Sequence, residues 1–189
     1  MLNFYQLIEI LLSLQLLIIS TLIPVYNPLL FLDKSSSSLE LPITLQIPTI
    51  ILLTLIFNRK VVFRAFTIYI ILGLFIAPVF NKGGSIGYLL TPNFGYLLGV
   101  YPLIKIIDNL NTRKKINVVN FLINGFMAIV AMHLTGIFYN LIQIIFYNQF
   151  NLFLYNLGKY SLGKIGYHFL MLFPLLLLIK PIERLKRSK

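Results

Sequence analysis

The segment from residue 77 to residue 102 holds most of the residues with which this chain could do chemistry. Its five glycines and three prolines make a continuous helix improbable, because glycine loosens the backbone and proline removes an amide donor. Asparagine and tyrosine side chains lie among them and can hydrogen-bond a small molecule between aromatic walls. The glycines also let the backbone approach a ligand closely. The chemistry that this pattern predicts is non-covalent binding of a small solute.

Groups suited to catalysis or to metal binding do not converge in the sequence. There is no cysteine, which excludes disulfides, thiolate metal sites and cysteine nucleophiles. The five acidic residues form no convincing catalytic pair, and no P-loop is present that could use ATP. His133 and His168 lie in apolar stretches, where neutral imidazoles bonded between helices are a simpler interpretation than a metal site. We expect no catalytic residue, metal or cofactor, and we keep His133 as a candidate in the pocket.

The surrounding composition is that of a membrane protein. Of 189 residues, 58% are hydrophobic and 11% are charged, and the mean hydropathy is +0.88. A soluble chain carries about 25% charged residues. The net charge of +11 would suggest nucleic acid in a soluble protein, but basic loops facing an anionic bilayer explain it more simply. We predict one all-α polytopic domain over residues 1–189, in contact with lipid and with no nucleic acid. A removable signal peptide is not expected, since the first apolar stretch lacks a basic leader.

Six transmembrane helices of about 20 residues, the length that crosses a hydrocarbon core, can be drawn along the chain. Of the 16 lysines and arginines, 12 fall on one side of these helices. The positive-inside rule then places both termini in the cytoplasm of a bacterium or on the equivalent side of a plastid membrane. A polar loop at 26–41 and the glycine-rich segment at 78–102 face outward together. The predicted helices cover residues 4–25, 41–58, 61–80, 94–110, 118–138 (with an amphipathic extension to 147) and 163–181.

A series of motifs between residues 41 and 102 has a familiar order and spacing. The motifs are Leu41-Pro-Ile-Thr-Leu-Gln46, Tyr69 with Gly73, Pro78-Val-Phe80, Gly83-Gly84, Tyr88-Leu89, Pro92 and Gly95-Tyr-Leu-Leu-Gly99. Together they resemble the BioY family, the biotin-binding S components of energy-coupling-factor (ECF) vitamin transporters.

The resemblance implies a six-helix S-component fold that binds biotin near the outer face. The loop at 26–41 would form a lid over the ligand. The implied partners are an ECF transmembrane coupling protein and two ATPase subunits, so the chain itself would not be an enzyme. Two alternatives stay open: an S component for a different vitamin, and a structural or assembly factor of a membrane complex.

The candidate substrate-binding residues combine these motifs with side chains that suit biotin. The ureido ring of biotin both donates and accepts hydrogen bonds, its thioether ring and tail need apolar walls, and a carboxylate ends the molecule. Lys82 lies on the outer side and could attract that carboxylate. The candidates are Thr44, Gln46, Phe80, Asn81, Gly83, Gly84, Tyr88, Asn93, Gly95, Tyr96, His133 and Lys180.

The sequence departs from the family pattern at two places of the predicted site, and its first helix also lacks the small-x-x-x-small pattern with which the family's S components dock the coupling protein. The family usually has Pro-Thr-x-Gly-Tyr-Leu where this chain has Asn93 after the proline. The family also places an acidic residue three positions before a lysine of the last helix, and that pair contacts the ureido ring. If the lysine is Lys180, the residue three positions before it is Leu177, and half of the pair is missing. We further expect Gly95→Leu to abolish binding, because a side chain there would intrude on the ligand or on the fourth helix.

Overall fold

The fold is seen in a computed structural model, which describes residues 3–26, 40–81, 83–111, 116–148 and 150–187. These residues are mostly helical. Single 3-10 turns cover Ile86–Leu90 and Phe150–Leu152, and a π-helical turn covers Gly158–Leu162. The α-helices are α1 (Phe4–Leu22), α2 (Gln46–Ile56), α3 (Arg59–Phe75), α4 (Pro92–Leu98), α5 (Val100–Asp108), α6 (Val118–Tyr147), α7 (Phe153–Leu157), α8 (Gly163–Leu170) and α9 (Leu172–Arg187).

A short antiparallel hairpin connects α1 with α2, so the fold is not purely α-helical. Its strands are β1 (Pro24–Tyr26) and β2 (Glu40–Thr44), and Pro24 lies opposite Thr44. Residues 41–45 were expected to begin the second helix, and this prediction is wrong. Proline at position 42 favours an extended residue before it and lacks an amide donor, so the segment pairs with β1 instead. Most of the predicted lid, residues 27–39, lies outside the described residues.

Three other helix boundaries differ from the prediction, and glycine or proline lies near two of them. Helix α3 ends at Phe75 instead of residue 80, since Pro78 cannot continue it. The predicted fourth helix is divided at Gly99 into α4 and α5. The predicted sixth helix is also divided, with a bend of 42° between the residues up to Leu170 and α9.

Helix α6 lies at the centre of the bundle and contacts α4, α5, α8 and α9, while α1 packs on α2 and α3. The core is apolar and tightly closed: Leu17, Phe66, Tyr69, Leu103 and Phe121 are all fully buried. The outward faces of the helices, for example of α1 and α6, carry large apolar side chains that are exposed. A soluble protein rarely exposes such a surface, but lipid covers it at no cost.

Two of the described helices, α1 and α6, are long and apolar enough to cross a membrane. A third crossing exists if the bent pair Phe150–Leu170 and Leu172–Arg184 is one span. Helix α2 is apolar but shorter. These segments make the chain an integral membrane protein.

Candidate functional site

A cavity opens where the hairpin, the glycine-rich segment, α6 and α8 meet. It encloses about 110 Å³. Apolar side chains line one part of it, and amide, hydroxyl, imidazole and ammonium groups line the rest. The lining residues are Ile43, Thr44, Gln46, Ile47, Asn81, Tyr88, Asn93, Tyr96, Leu97, Val100, Met132, Tyr160, Lys164 and His168.

The junction between β2 and α2 contributes both polar and apolar groups. Ile43 and Ile47 are 4% and 8% exposed and contribute to the apolar side of the cavity. Thr44 lies just before α2, and its Oγ1 accepts a 3.5 Å hydrogen bond from the backbone N–H of Gln46. The side chain of Gln46 differs: its buried Nε2 makes no hydrogen bond of ordinary length to the described residues, although the Gln46 side chain also interacts with the Tyr69 hydroxyl. An unsatisfied buried donor is costly, so this amide is a natural partner for a ligand acceptor.

The glycine-rich segment forms a tight turn instead of a helix. Phe80 and Gly83 exchange two backbone hydrogen bonds of 3.1 and 3.0 Å. Gly83 has φ of +93°, a conformation that a residue with a side chain rarely adopts. A Cβ on Gly84 would stand 2.9 Å from the Cα of Pro78, so the turn packs directly on backbone. The turn thereby holds Asn81 at the cavity.

Aromatic rings connect this turn to the cavity wall. The Phe80 ring is 2% exposed and lies between the rings of Tyr69 and Tyr88, with centroids 5.3 and 4.6 Å apart. Tyr88 reaches the cavity, whereas Phe80 supports it from behind. Burial raises the pKa of Tyr88 to about 12, so its phenol is a neutral hydrogen-bonding group at physiological pH.

A buried polar chain forms the opposite side of the cavity. The Tyr96 hydroxyl and the Ser161 Oγ share a 2.7 Å hydrogen bond. Ser161 Oγ lies 3.2 Å from His133 Nδ1, and His133 Nε2 lies 3.1 Å from His168 Nδ1. Hydroxyl and imidazole groups can satisfy one another in this way, which a membrane interior requires. Tyr96 and His168, at the two ends of the chain, line the cavity.

The π-helical turn at Gly158–Leu162 places one cation beside these groups. Tyr160 and Lys164 both line the cavity, and the Lys164 ammonium lies 5.5 Å from the centre of the Tyr160 ring. Lys159 does not line the cavity; its side chain is fully exposed, and its ammonium lies 5.6 Å from the centre of the same ring. A π-helical turn is rare and is frequently found at functional sites, because the extra residue redirects the side chains that follow it.

Comparison with known proteins identifies the family. The model of the BioY family matches residues 3–171, which is most of the chain. The chain belongs to the BioY family. The resemblance deduced from residues 41–102 is therefore confirmed.

Two individual proteins add detail to this BioY assignment. The chain is 43% identical over 58 residues to the "Probable biotin transporter BioY" of Lysinibacillus sphaericus, a match that spans 31% of this chain and 30% of that relative. Its fold is similar to that of the S-component for biotin from an ECF-type ABC transporter, with a TM-score of 0.61. That match covers 99% of this chain and 95% of the other at 14% identity, so it establishes the fold alone.

Six of the twelve sequence-predicted residues of this BioY family member lie on the cavity wall: Thr44, Gln46, Asn81, Tyr88, Asn93 and Tyr96. Phe80, Gly83 and Gly84 shape the neighbouring turn. His133 lies behind His168. The structure does not bring Gly95 or Lys180 to the cavity: Gly95 faces Tyr139, and Lys180 is exposed on α9. Lys82 lies outside the described residues.

Sequence reasoning missed the contribution of α8 and its preceding turn to this BioY cavity. Lys164 lines the cavity, and Ser161, three positions before it, bonds to the lining residue Tyr96, whereas Lys180 and Leu177 do not line the cavity. The signal was present, because glycines 158, 163 and 166 surround the same lysine. The lining residues that were not predicted are Ile43, Ile47, Leu97, Val100, Met132, Tyr160, Lys164 and His168.

Ser161→Ala tests the buried polar chain. The change removes the hydroxyl that joins Tyr96 to His133, and it leaves both partners short of a hydrogen bond. We expect the free energy of unfolding to fall by about 1–3 kcal/mol, as an unsatisfied buried group costs. Circular dichroism during heating would measure this loss. Ser85→Ala, at an exposed position of the outer segment, is the matched control. Equal melting temperatures for the two variants would contradict the view that this series of buried hydrogen bonds stabilises the fold.

Proposed function

We propose that this protein is the membrane subunit that binds biotin for uptake, and that biotin occupies the cavity described above. The observation that carries the proposal is the buried Nε2 of Gln46, which lies on the cavity wall of a BioY family member and has no hydrogen-bond partner among the described residues. The similar relative and the similar solved structure, a probable biotin transporter and a biotin S-component, support the same ligand.

The chemistry of the cavity suits biotin. The rings of Tyr88, Tyr96 and Tyr160 and the apolar side chains beside them provide walls for a thioether ring and an aliphatic tail. The amides of Gln46, Asn81 and Asn93 both donate and accept, as the ureido group requires. The phenols add further donors and acceptors without charge.

Biotin entry requires the cavity to widen. Its volume of about 110 Å³ is below the range of about 300–1,000 Å³ that is usual for ligand pockets. The β1–β2 hairpin borders the cavity through Ile43 and Thr44. We propose the loop at 26–41, of which residues 27–39 lie outside the described residues, as the lid over the ligand.

The proposed topology has six membrane crossings with both termini in the cytoplasm. The crossings are α1, α2, α3, the pair α4–α5, helix α6, and the bent pair ending in α9. The ends of α3 and α5 meet through an ion pair of 3.6 Å between Arg59 and Asp108, as expected of a common cytoplasmic face. The glycine-rich loop then faces outward, from a bacterial plasma membrane or a plastid membrane. In this arrangement an ECF coupling protein and its ATPases supply the energy, and the chain hydrolyses no ATP.

Calorimetric titration of the purified protein with biotin tests the proposal. We expect saturable binding of one biotin per chain at low micromolar concentration or below, since a pocket of this kind buries most of the ligand. Thiamine and riboflavin serve as control vitamins and should not bind. No heat of binding with biotin, or equal binding of a control vitamin, would contradict the proposed ligand.

A further inference from the structure

A second cavity, separate from the one described above, is an open groove between α6 and the bend that joins α8 to α9. It encloses about 330 Å³, about three times the volume of the first cavity. Apolar cavities stay dry and take up apolar molecules. The described lining residues are all apolar: Leu122, Ile123, Phe126, Phe169, Leu172 and Phe173. The groove therefore suits a hydrocarbon chain and not a polar solute such as biotin.

Two contacts between the helices shape this groove. A Cβ on Gly125 would stand 2.9 Å from the terminal methyl carbons of Leu172, so α6 and α9 touch at the floor of the groove. The rings of Phe126 and Phe169 stack with their centroids 4.5 Å apart and form one end of it. The bend of 42° between the residues up to Leu170 and α9 separates the outer surfaces of the helices beyond that end. The groove thus runs from the ring pair toward the start of α6 and the end of α9.

One exposed face of α9 leads from the groove to two basic side chains. Phe173, Leu177, Lys180 and Arg184 follow one another at intervals of four, three and four residues, and all are exposed. This spacing places them on the same face of the helix. A long ligand that lies in the groove and follows this face therefore meets apolar side chains first and positive charges last.

The distances along α9 match the thickness of one leaflet of a bilayer. A rise of 1.5 Å per residue puts Lys180 and Arg184 about 10 and 16 Å beyond Phe173. Half of a hydrocarbon core of about 30 Å is about 15 Å. Glu183 is turned toward α6, since its Oε1 accepts a 2.6 Å hydrogen bond from the N–H of Ile116. That bond also brings the end of α9 to the level of the start of α6, which the proposed topology assigns to the cytoplasmic membrane surface.

We infer that the groove is a binding site for one anionic phospholipid. An acyl chain occupies the apolar groove, and the phosphate lies at Lys180 and Arg184. Charge complementarity favours an anionic lipid, because a zwitterionic headgroup would bring its own ammonium close to these two cations. Basic pockets between membrane helices on the cytoplasmic side recognise anionic headgroups in this way. The inference is independent of biotin binding, and it uses the proposed topology only to name the leaflet.

Quenching of tryptophan fluorescence by brominated lipids tests this site, because the chain contains no tryptophan of its own. Phe173→Trp places a reporter in the groove, and Leu11→Trp places one on the exposed face of α1, at positions that are 57% and 51% exposed. Each purified protein is reconstituted in phosphatidylcholine vesicles with a rising share of brominated phosphatidylglycerol or brominated phosphatidylcholine. The two quenching curves give the relative affinity of the lipids at each reporter.

We expect Phe173→Trp to report an affinity for phosphatidylglycerol about tenfold or more above that for phosphatidylcholine, since two basic residues contribute. Leu11→Trp should report little preference. Adding Lys180→Gln and Arg184→Gln to the groove reporter should remove its preference. Quenching by brominated phosphatidylcholine should remain in that variant, which shows that it is folded in the membrane.

Lys60→Gln with Arg64→Gln, added to the groove reporter, is the matched control, because it removes two exposed charges from α3. This control should keep the preference. Equal affinities of the two lipids at the groove reporter, the same preference at Leu11→Trp, or equal losses in the two charge variants would overturn the inference. It would also fail if neither brominated lipid quenched the groove reporter, as expected if a second copy of the chain covered the groove. Titration with biotin is a separate measurement, so failure of the lipid site and failure of the proposed function are distinguishable.

Discussion

Replacing Gly99 by leucine is expected to lower the melting temperature of the protein by about 5–10 °C and to abolish ligand binding. Gly99 lies at the junction of α4 and α5, directly against the backbone of α6. A Cβ built on this glycine would stand 2.9 Å from the Cα of Met132, and the Met132 carbonyl oxygen is nearer still. Backbone atoms cannot turn aside as a flexible side chain can, so the helices themselves must separate.

Separation of α4 and α5 from α6 would also distort the cavity. Leu97 and Val100 lie on either side of Gly99 in the chain, and both line the cavity opposite Met132. Moving α4 and α5 away from α6 therefore opens the apolar wall to lipid or water. Packing changes of this kind cost about 1–3 kcal/mol and sometimes more.

Circular dichroism during heating and titration with biotin would measure the two effects of Gly99→Leu. Gly166→Leu is the matched control, because a Cβ at Gly166 on α8 meets no atom within 4 Å. This control should melt at or slightly above the parent temperature, since leucine favours helix over glycine. Similar melting of both variants would show that α4 and α6 are not packed through Gly99.

The predicted loss of binding in Gly95→Leu has a different physical basis from the one inferred from sequence. Gly95 does not face the cavity, because a Cβ there would stand 2.8 Å from Cγ of the Tyr139 ring on α6. The Tyr139 hydroxyl donates to the carbonyl of Leu89, next to the lining residue Tyr88. A leucine at position 95 would act through this packing and not by occupying the ligand site.

The long helices and the irregular segment were predictable because their signals are local. Helix α1 was predicted over residues 4–25 and is observed at Phe4–Leu22, since an apolar run bounded by Pro24 is sufficient evidence. The break after Phe75 follows from the glycines and prolines that come next. Asn81, Tyr88, Asn93 and Tyr96 could be assigned to a site because they lie within that one segment.

The contribution of α8 was not predictable in the same way, because it depends on tertiary packing and on register. Lys164 and Lys180 are both lysines near the end of the chain, and only the second was considered from the sequence as a candidate for the family's lysine. The π-helical turn at Gly158–Leu162 changes the register of the residues that follow, so an α-helical pattern misplaces their side chains. His168 reaches the cavity because it bonds to His133, which lies 35 residues earlier.

Exchanging Gln46 for leucine should weaken biotin binding by about tenfold to a hundredfold without destabilising the free protein. We expect the affinity for biotin to fall while the stability of the free protein does not, because the Gln46 Nε2 is buried and has no hydrogen-bond partner among the described residues. In the free protein this donor is a cost, and removing it leaves stability unchanged or raises it. In the complex the same donor would satisfy a ligand acceptor, and leucine cannot replace it.

Titration with biotin and the melting temperature without ligand must therefore be measured on the same Gln46→Leu sample. Gln15→Leu, at an exposed position on α1, makes the same substitution away from the cavity and should change neither quantity. A purely structural role for Gln46 would lower the melting temperature and the affinity together. That result would contradict the view that this amide is held unpartnered for a ligand, because a residue that only supports the fold gains nothing from an unsatisfied donor.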